Sequence, residues 1–243
     1  MCFHTSQTQK VIKLENHYKV ALTDENLREK YDNPRYHLNG FAHPDMLIIP
    51  QEEPSVITPG LWGIIPNNKK ASQISDYYKE AVRYGGGLNA QSERLFNHFI
   101  YKHSAFTKRC IIPVTGFFEP HEYKSKKYPF HIKRTDDEVL SLAGLYTIID
   151  KVLTFTILTK SASPLFAKIH NKKNRQPILL NQDIEQDWLK DDLSENDIKE
   201  LINLQYPENE LSTYTISREL FSPKVNSDIP TIIDEVKYEG VAI

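Results

Sequence analysis

Residue 2 is a cysteine, and a cysteine there can do chemistry that no other side chain of this 243-residue chain offers. Removal of the initiator Met1 would leave Cys2 with a free amine and a thiol two carbons apart. Their ordinary pKa values, about 8 and about 8.5, bring both within reach of acting as nucleophiles near neutral pH. The amine condenses with an aldehyde to an imine, and the neighbouring thiolate then closes a five-membered thiazolidine ring. Both groups sit on one residue, so the second step carries little entropic cost. A second-position cysteine can equally be an accident of where the chain starts, so position alone leaves both readings open.

Three further segments carry groups that would serve such a nucleophile. In Leu88-Asn89-Ala90-Gln91-Ser92-Glu93, between a triple glycine and a helix start, Asn89 can aim an amide into a pocket; simple helix capping explains the segment as well. In Gly116-Phe117-Phe118-Glu119-Pro120, strand alternation can turn Glu119 inward, where desolvation raises a carboxyl pKa and suits it to general acid–base work. A solvent-facing Glu at a strand end is the competing account. In Ile169-His170-Asn171, an imidazole can give or take a proton, although one histidine among nine is ordinary.

The elements that must position these groups are mostly strands. Val11–Leu14 and His17–Leu22 read as extended, and Thr23-Asp24-Glu25 opens a short helix to about Tyr31 that Asn33-Pro34 stops. Met46–Pro50, Val56–Thr58 and Leu61–Pro66 read as strands, and 72–84 and 92–103 as helices, the second turning Leu95, Phe96, Phe99 and Ile100 inward. Gly85-Gly86-Gly87 ends the first helix and lacks the Gly-Lys-Ser/Thr of a phosphate loop. From Arg109 the period becomes two. Cys110–Val114, Phe117–Tyr123, Tyr128–Lys133, Val139–Tyr146 and Val152–Thr159 predict an antiparallel meander closing toward a barrel or sandwich. A short helix after Ser163-Pro164, a strand at Ile178–Leu180, helices over 182–189 and 194–204, a strand at Tyr214–Ile216 and a polar tail over 221–243 complete the chain. The expected architecture is a single α+β domain over 1–243, with a β-rich antiparallel barrel-like core flanked by helices.

Taken in order, these pieces resemble the SOS response-associated peptidase (SRAP) family. Its pattern of Met-Cys, Trp-Gly-Leu-Ile-Pro, Asn-Ala-Arg-x-Glu, Arg-Cys-Leu-x-Pro-x-x-Gly-Phe-Tyr-Glu-Trp, Ala-Gly-Leu and His-x-Arg-Met-Pro is met here, between residues 2 and about 180. The matching segments are Met1-Cys2, Trp62–Pro66, Asn89–Glu93, Arg109–Pro113 with Gly116–Glu119, Ala143–Leu145 and His170-Asn171. The resemblance implies covalent capture of abasic sites in single-stranded DNA through the processed Cys2, a stable thiazolidine crosslink, autocatalytic removal of Met1 and a possible lyase activity. It implies Cys2 as nucleophile, Asn89 holding the adduct, Glu119 as general acid–base group and His170 assisting proton transfer. Trp62, Gln91, Arg94 and Arg109, which lie in or beside the motifs, are expected to touch the DNA, together with Lys172, Lys173 and Arg175.

The departures are specific. Gln91 stands where the family has Arg, Asn67-Asn68 and Pro120 stand where it has Trp, and Lys172-Lys173-Asn174 is inserted before Arg175-Gln176-Pro177. Base stacking contributes about 1–3 kcal/mol per base, so lost indoles weaken or redirect binding, while the inserted lysines add charge beside the site. Lys124, Lys126 and Lys127 are candidates for a phosphate-tracking groove, with solvated turn residues as the favoured reading.

Composition limits the partners. Thirty basic against 32 acidic residues give a formal charge of −2, so a polyanion must be held by a local patch and not by the global field. No apolar run approaches membrane-spanning length, the N-terminal residues lack the apolar stretch of a signal peptide, and two cysteines, Cys2 and Cys110, fit a reducing cytoplasm. No His/Cys spacing matches a zinc site; no cofactor, no membrane and a monomer are expected. A Cys-His hydrolase acting on amides, and a binding module with weakened chemistry, remain the alternative readings of the residues.

Overall fold

Two sheets meet along one stretch of chain, and the groups singled out above lie about their junction. The computed structural model describes residues 2–241; the expected excision of Met1 concerns a residue outside that range, as are Ala242 and Ile243. Five strands close a ring: Asp45–Pro50, Val56–Trp62, Arg109–Val114, Leu140–Ile149 and Val152–Ser161. Four antiparallel pairings run round it. A parallel pair shuts it, with Thr154 opposite Leu61 and Phe155 opposite Trp62. The α+β class with a barrel-like β core is therefore what the chain adopts.

Alternation decides which core each barrel residue enters. Cys110, Ile112 and Val114 pack with Trp62, Phe155 and Phe117, whereas the intervening Ile111 packs with Val11, Leu14 and Trp188. Both faces are buried, so these strands read as unbroken apolar runs. Each buried Ile or Leu contributes about 1.5–3 kcal/mol.

The second sheet has five antiparallel strands in the order Leu211–Thr215, Lys126–Arg134, Gly116–Tyr123, His4–Gln7 and Arg35–Asn39. The expected meander is therefore interrupted. After Arg109–Val114 the chain leaves the barrel, makes the Gly116–Tyr123/Lys126–Arg134 hairpin in the other sheet, and returns as Leu140–Ile149 beside Arg109–Val114. The crossing is made at Thr115-Gly116, where Thr115 N–H donates to the Ser6 carbonyl. A Cβ on Gly116 would lie 2.2 Å from His131 Nε2, so only glycine fits that passage.

Several local expectations change. Val11–Tyr18 is a helix, not a strand, because Val11, Leu14 and Tyr18 bury one helical face; Lys19 ends it in the left-handed region at φ 56°. Val56–Trp62 is one continuous strand. The helix expected over 92–103 is a single turn, Ser92–Arg94, followed by a later helix, Tyr101–Thr107. His98 Nδ1 accepts from Ile100 N–H at 3.4 Å in the gap between them, and Phe99, expected inward, points to solvent. The strands His4–Gln7, Arg35–Asn39 and Asn89–Gln91 are additional to those expected. The stretch read as a polar tail is instead packed down, with Ile232 buried against Phe118 and Leu220. Among the described residues no helix is long and apolar enough to cross a membrane.

Candidate active site

Cys2 reaches the site along the His4–Gln7 strand. His4 pairs with Phe118 and Thr5 with Phe117, so the residues before His4 and the residue after Phe118, Glu119, share one end of the sheet. Cys2 is fully buried, and its thiol donates to the His4 carbonyl at 3.7 Å. Burial pushes the thiol pKa well above its ordinary value, and the negative charge of Glu119 pushes the same way. The resting group is the thiol.

Asn89 arrives from the opposite side. The short Asn89–Gln91 strand pairs in parallel with Ile157–Thr159 of the barrel, and the residue before it is fixed by Trp62, whose indole donates to the Leu88 carbonyl at 2.9 Å. From there Asn89 Nδ2 donates to the Cys2 carbonyl at 2.8 Å. Its other amide atom, Oδ1, is buried and has no hydrogen-bond partner among the described residues.

Glu119 is fully buried between apolar neighbours, and burial raises its carboxyl to about pH 7. His170 ends the helix Pro164–Ile169, its N–H bonded to the Phe166 carbonyl at 2.8 Å. Its Nδ1 lies 3.1 Å from Glu119 Oε2 and 3.1 Å from the Arg175 carbonyl. Burial lowers the imidazole to about 4, so it is neutral at physiological pH. Glu119, by contrast, is poised to hold or release a proton there.

Of these four groups His170 lines a cleft of about 760 Å³, while Cys2, Asn89 and Glu119 are not among its lining residues. His170, Phe3 and His4 form part of its floor. One wall carries Phe41, 53% exposed and with its ring centroid 4.8 Å from that of Phe3; the facing wall comes from residues 220–228, including Phe221. Arg35, Lys127, Lys172 and Lys173 line it against only two carboxylates, Glu122 and Asp228. A chain of net charge −2 thus concentrates positive charge where a backbone of phosphates could lie.

The structure brings Cys2, Asn89, Glu119 and His170 together, and it sets Lys172 and Lys173 on the cleft. It corrects two expected DNA contacts. Trp62 is fully buried in the core, where it fixes Leu88. Arg109 is also fully buried. Its guanidinium donates to the carbonyls of Trp188 at 2.8 Å, Ala105 at 2.6 Å, Phe106 at 2.9 Å and Lys190. It ties the barrel to two helices and cannot meet a solvent-borne ligand. Gln91 and Arg94 do not line the cleft. Arg175 is paired with Glu93. Lys127, read from the sequence as a solvated turn residue, lines the cleft.

The sequence reading missed Phe3, His4, Arg35, His37, Phe41 and the 220–228 wall. That wall is pinned by Asp228, whose carboxylate accepts from Tyr36 N–H at 2.7 Å and Arg35 Nε at 2.6 Å, and by Ser227, bonded to His37 Nδ1 at 2.6 Å. His37 Nε2 in turn lies 2.8 Å from His4 Nδ1. Apolar pairs at the edge of the supposed tail, Leu220-Phe221, and within it, Ile232-Ile233, were the available signal.

A mixed barrel thus gathers a cysteine, an amide, a carboxyl and an imidazole at its junction with a second sheet. The profile of the SOS response associated peptidase (SRAP) family matches residues 1–223, and the chain belongs to that family. It is 30% identical over 172 residues to the abasic site processing protein YoaM of Bacillus subtilis (strain 168), covering 68% of this chain and 70% of the relative. It is 27% identical over 221 residues to YoqW of the same organism, also named an abasic site processing protein, covering 85% and 92%. A crystal structure of a protein from Bacteroides thetaiotaomicron superposes with a TM-score of 0.84 at 27% identity, over 97% of this chain and all of that one. A Bordetella bronchiseptica protein at 21% identity shares the fold, with a TM-score of 0.72 over 89% of this chain and all of that one.

Proposed function

We propose that the protein captures abasic sites in single-stranded DNA covalently, through the amine and thiol of a Cys2 freed from Met1. The observation that carries this reading is the convergence on Cys2: Asn89 bonded to its carbonyl at 2.8 Å, Glu119 close enough to perturb its thiol, and Glu119 in contact with His170 at 3.1 Å. The names of the relatives, abasic site processing proteins, supply the substrate class.

The amine lone pair attacks C1′ of the ring-opened sugar aldehyde to give a carbinolamine. Glu119, protonated in part near pH 7, donates to the departing hydroxyl, which leaves as water. The resulting imine carbon accepts the Cys2 sulfur, the thiol proton passes to a base of the site, and a thiazolidine forms with net loss of one water. Asn89 Nδ2 holds the Cys2 carbonyl during this sequence, and its Oδ1 offers an acceptor to an amine or sugar hydroxyl. The imine also permits elimination of the 3′ phosphate, so strand cleavage is a side path of the same intermediate. Maturation uses the same sulfur: attack on the Met1 carbonyl transfers the acyl group to sulfur and frees the Cys2 amine, and water then releases Met1 from the thioester.

Incubation with a single-stranded oligonucleotide bearing one abasic site is expected to give a heat-stable, slower-migrating adduct. Its mass equals protein plus DNA minus one water, and the protein before reaction lacks Met1. Cys2→Ala abolishes it; an adduct that persists in that variant overturns the reading.

A further inference from the structure

Arg175 does something other than meet phosphate. Its side chain is only 13% exposed, and its guanidinium is engaged on two sides. Nη1 and Nη2 grip Glu93 Oε1 and Oε2 at 2.5 and 3.0 Å, and Nη2 also donates to the Thr159 carbonyl at 2.7 Å and to Thr159 Oγ1 at 3.0 Å. The strand Arg175–Pro177 flanks Val152–Ser161 on one side, and Asn89–Gln91 flanks it on the other, with Thr159 opposite Gln91. The Arg175 side chain therefore bridges the central strand, from the segment that follows His170 to the turn that follows Asn89.

The same residue acts on His170 through its backbone. The Arg175 carbonyl lies 3.1 Å from His170 Nδ1, and Asn174 N–H closes the turn on the His170 carbonyl at 2.9 Å. A carbonyl only accepts, so this contact requires a proton on Nδ1. Glu119 Oε2, also 3.1 Å from Nδ1, then faces the positive end of an N–H dipole, which favours its carboxylate form. Without the carbonyl in place, a protonated Glu119 could donate to Nδ1 instead and force the other tautomer.

We propose that Arg175 is a positioning residue: clamped by Glu93 and Thr159, it holds the carbonyl that fixes the Nδ1–H tautomer of His170, leaving Nε2 as the ring's acceptor. Its use in catalysis rests on the covalent-capture reading above; the tautomer assignment does not. Among the described residues, Lys173 and Lys127 act on His170, and Glu119 acts on Cys2.

The test uses the full-length protein with histidine labelled by 15N, and three variants: Arg175→Gln, Glu93→Gln and the double substitution. The wild type is expected to show His170 as the Nδ1–H tautomer, and each variant to lose that preference. With abasic DNA at saturation, crosslinking slows about tenfold in each single variant and no further in the double, as expected of two residues acting through one contact. The pH midpoint assigned to Glu119 moves up, since its carboxylate no longer faces the Nδ1–H dipole; a merely structural role would lower the rate and leave the midpoint in place. The salt dependence of binding to intact single-stranded DNA stays unchanged. A salt slope reduced by about 0.7 in Arg175→Gln would mark a phosphate contact and overturn the proposal, as would an Nε2–H tautomer in the wild type. Glu93 is half exposed, so Glu93→Gln carries the comparison if Arg175→Gln fails to fold. A wild type that forms no adduct refutes the capture reading, while the tautomer spectrum still judges the clamp.

Discussion

The indole N–H of Trp62 donates to the carbonyl of Leu88, 2.9 Å away and one residue before Asn89. A motif tryptophan expected at the DNA surface thus acts from the core, as the post to which the Asn89 segment is tied. Trp62→Phe removes the indole donor while Ile157 N–H still reaches the Leu88 carbonyl at 3.1 Å, so the lost hydrogen bond costs about 0.5–1.5 kcal/mol. We expect a lower melting temperature together with adduct formation slowed at saturating DNA, measured by calorimetry and by gel. A slower reaction would follow from loss of Asn89 placement; an unchanged rate in a folded variant would show that Asn89 finds its position without Trp62.

Glu119 links chemistry to stability with a definite sign. Its folded pKa of about 7 lies above the ordinary 4.5. Between those values the unfolded chain releases a proton that the folded chain keeps, so stability is fully present below about pH 4.5 and falls as pH rises through 7. Glu119→Gln removes that fall. We expect it to raise the melting temperature by about 5 °C at pH 8 and little at pH 4.5, while slowing crosslinking. His170, held down to about 4, costs stability in the opposite direction as pH drops below 6.5, and it is neutral in both proteins at pH 8, where the shift is read. Equal shifts at the two pH values would show that Glu119 is not held protonated by burial.

Arg109 should behave as a core residue. Arg109→Met removes the donors to four carbonyls, and breaking a buried charged network costs about 3–5 kcal/mol. Denaturant unfolding should show that loss, whereas the salt dependence of DNA binding, measured on whatever fraction folds, should match the wild type. A smaller salt slope would return Arg109 to the DNA surface.

Phe41 offers the exposed ring that the missing tryptophans would otherwise supply. Loss of one base stack costs about 1–3 kcal/mol, so Phe41→Ala should weaken single-stranded DNA binding by about 5- to 150-fold. At saturating DNA the crosslinking rate should stay close to wild type. A 2-aminopurine base beside the lesion should be quenched on binding by the wild type and not by the variant; equal quenching would place the stack elsewhere.

The sequence displayed the barrel strands because both their faces are apolar, and it displayed the four site residues because each sits in a short motif. Trp62 and Arg109 were misread for one reason: motif membership says that a side chain matters, not whether it faces the ligand or the core. The first strand was hidden by composition, since Thr5 and Ser6 are buried polar residues and give no apolar alternation. Val11–Tyr18 misled because its first four residues, two of them β-branched, look extended until Tyr18 completes the helical stripe. The cleft wall at 220–228 depends on Asp228 meeting backbone N–H groups of Tyr36 and His37, a pairing across some 190 residues that no local pattern announces.

The His4–Gln7 strand lies between two neighbours, one of which, Gly116–Tyr123, leaves the ribosome more than a hundred residues later. The His4–Gln7 strand is therefore made long before the neighbour that seats it. Until that happens Cys2 has neither Glu119 nor Asn89 beside it and is an ordinary thiol on a loose end. Under the capture proposal, the groups that would serve Cys2 arrive only with completed assembly, so a half-made chain lacks them.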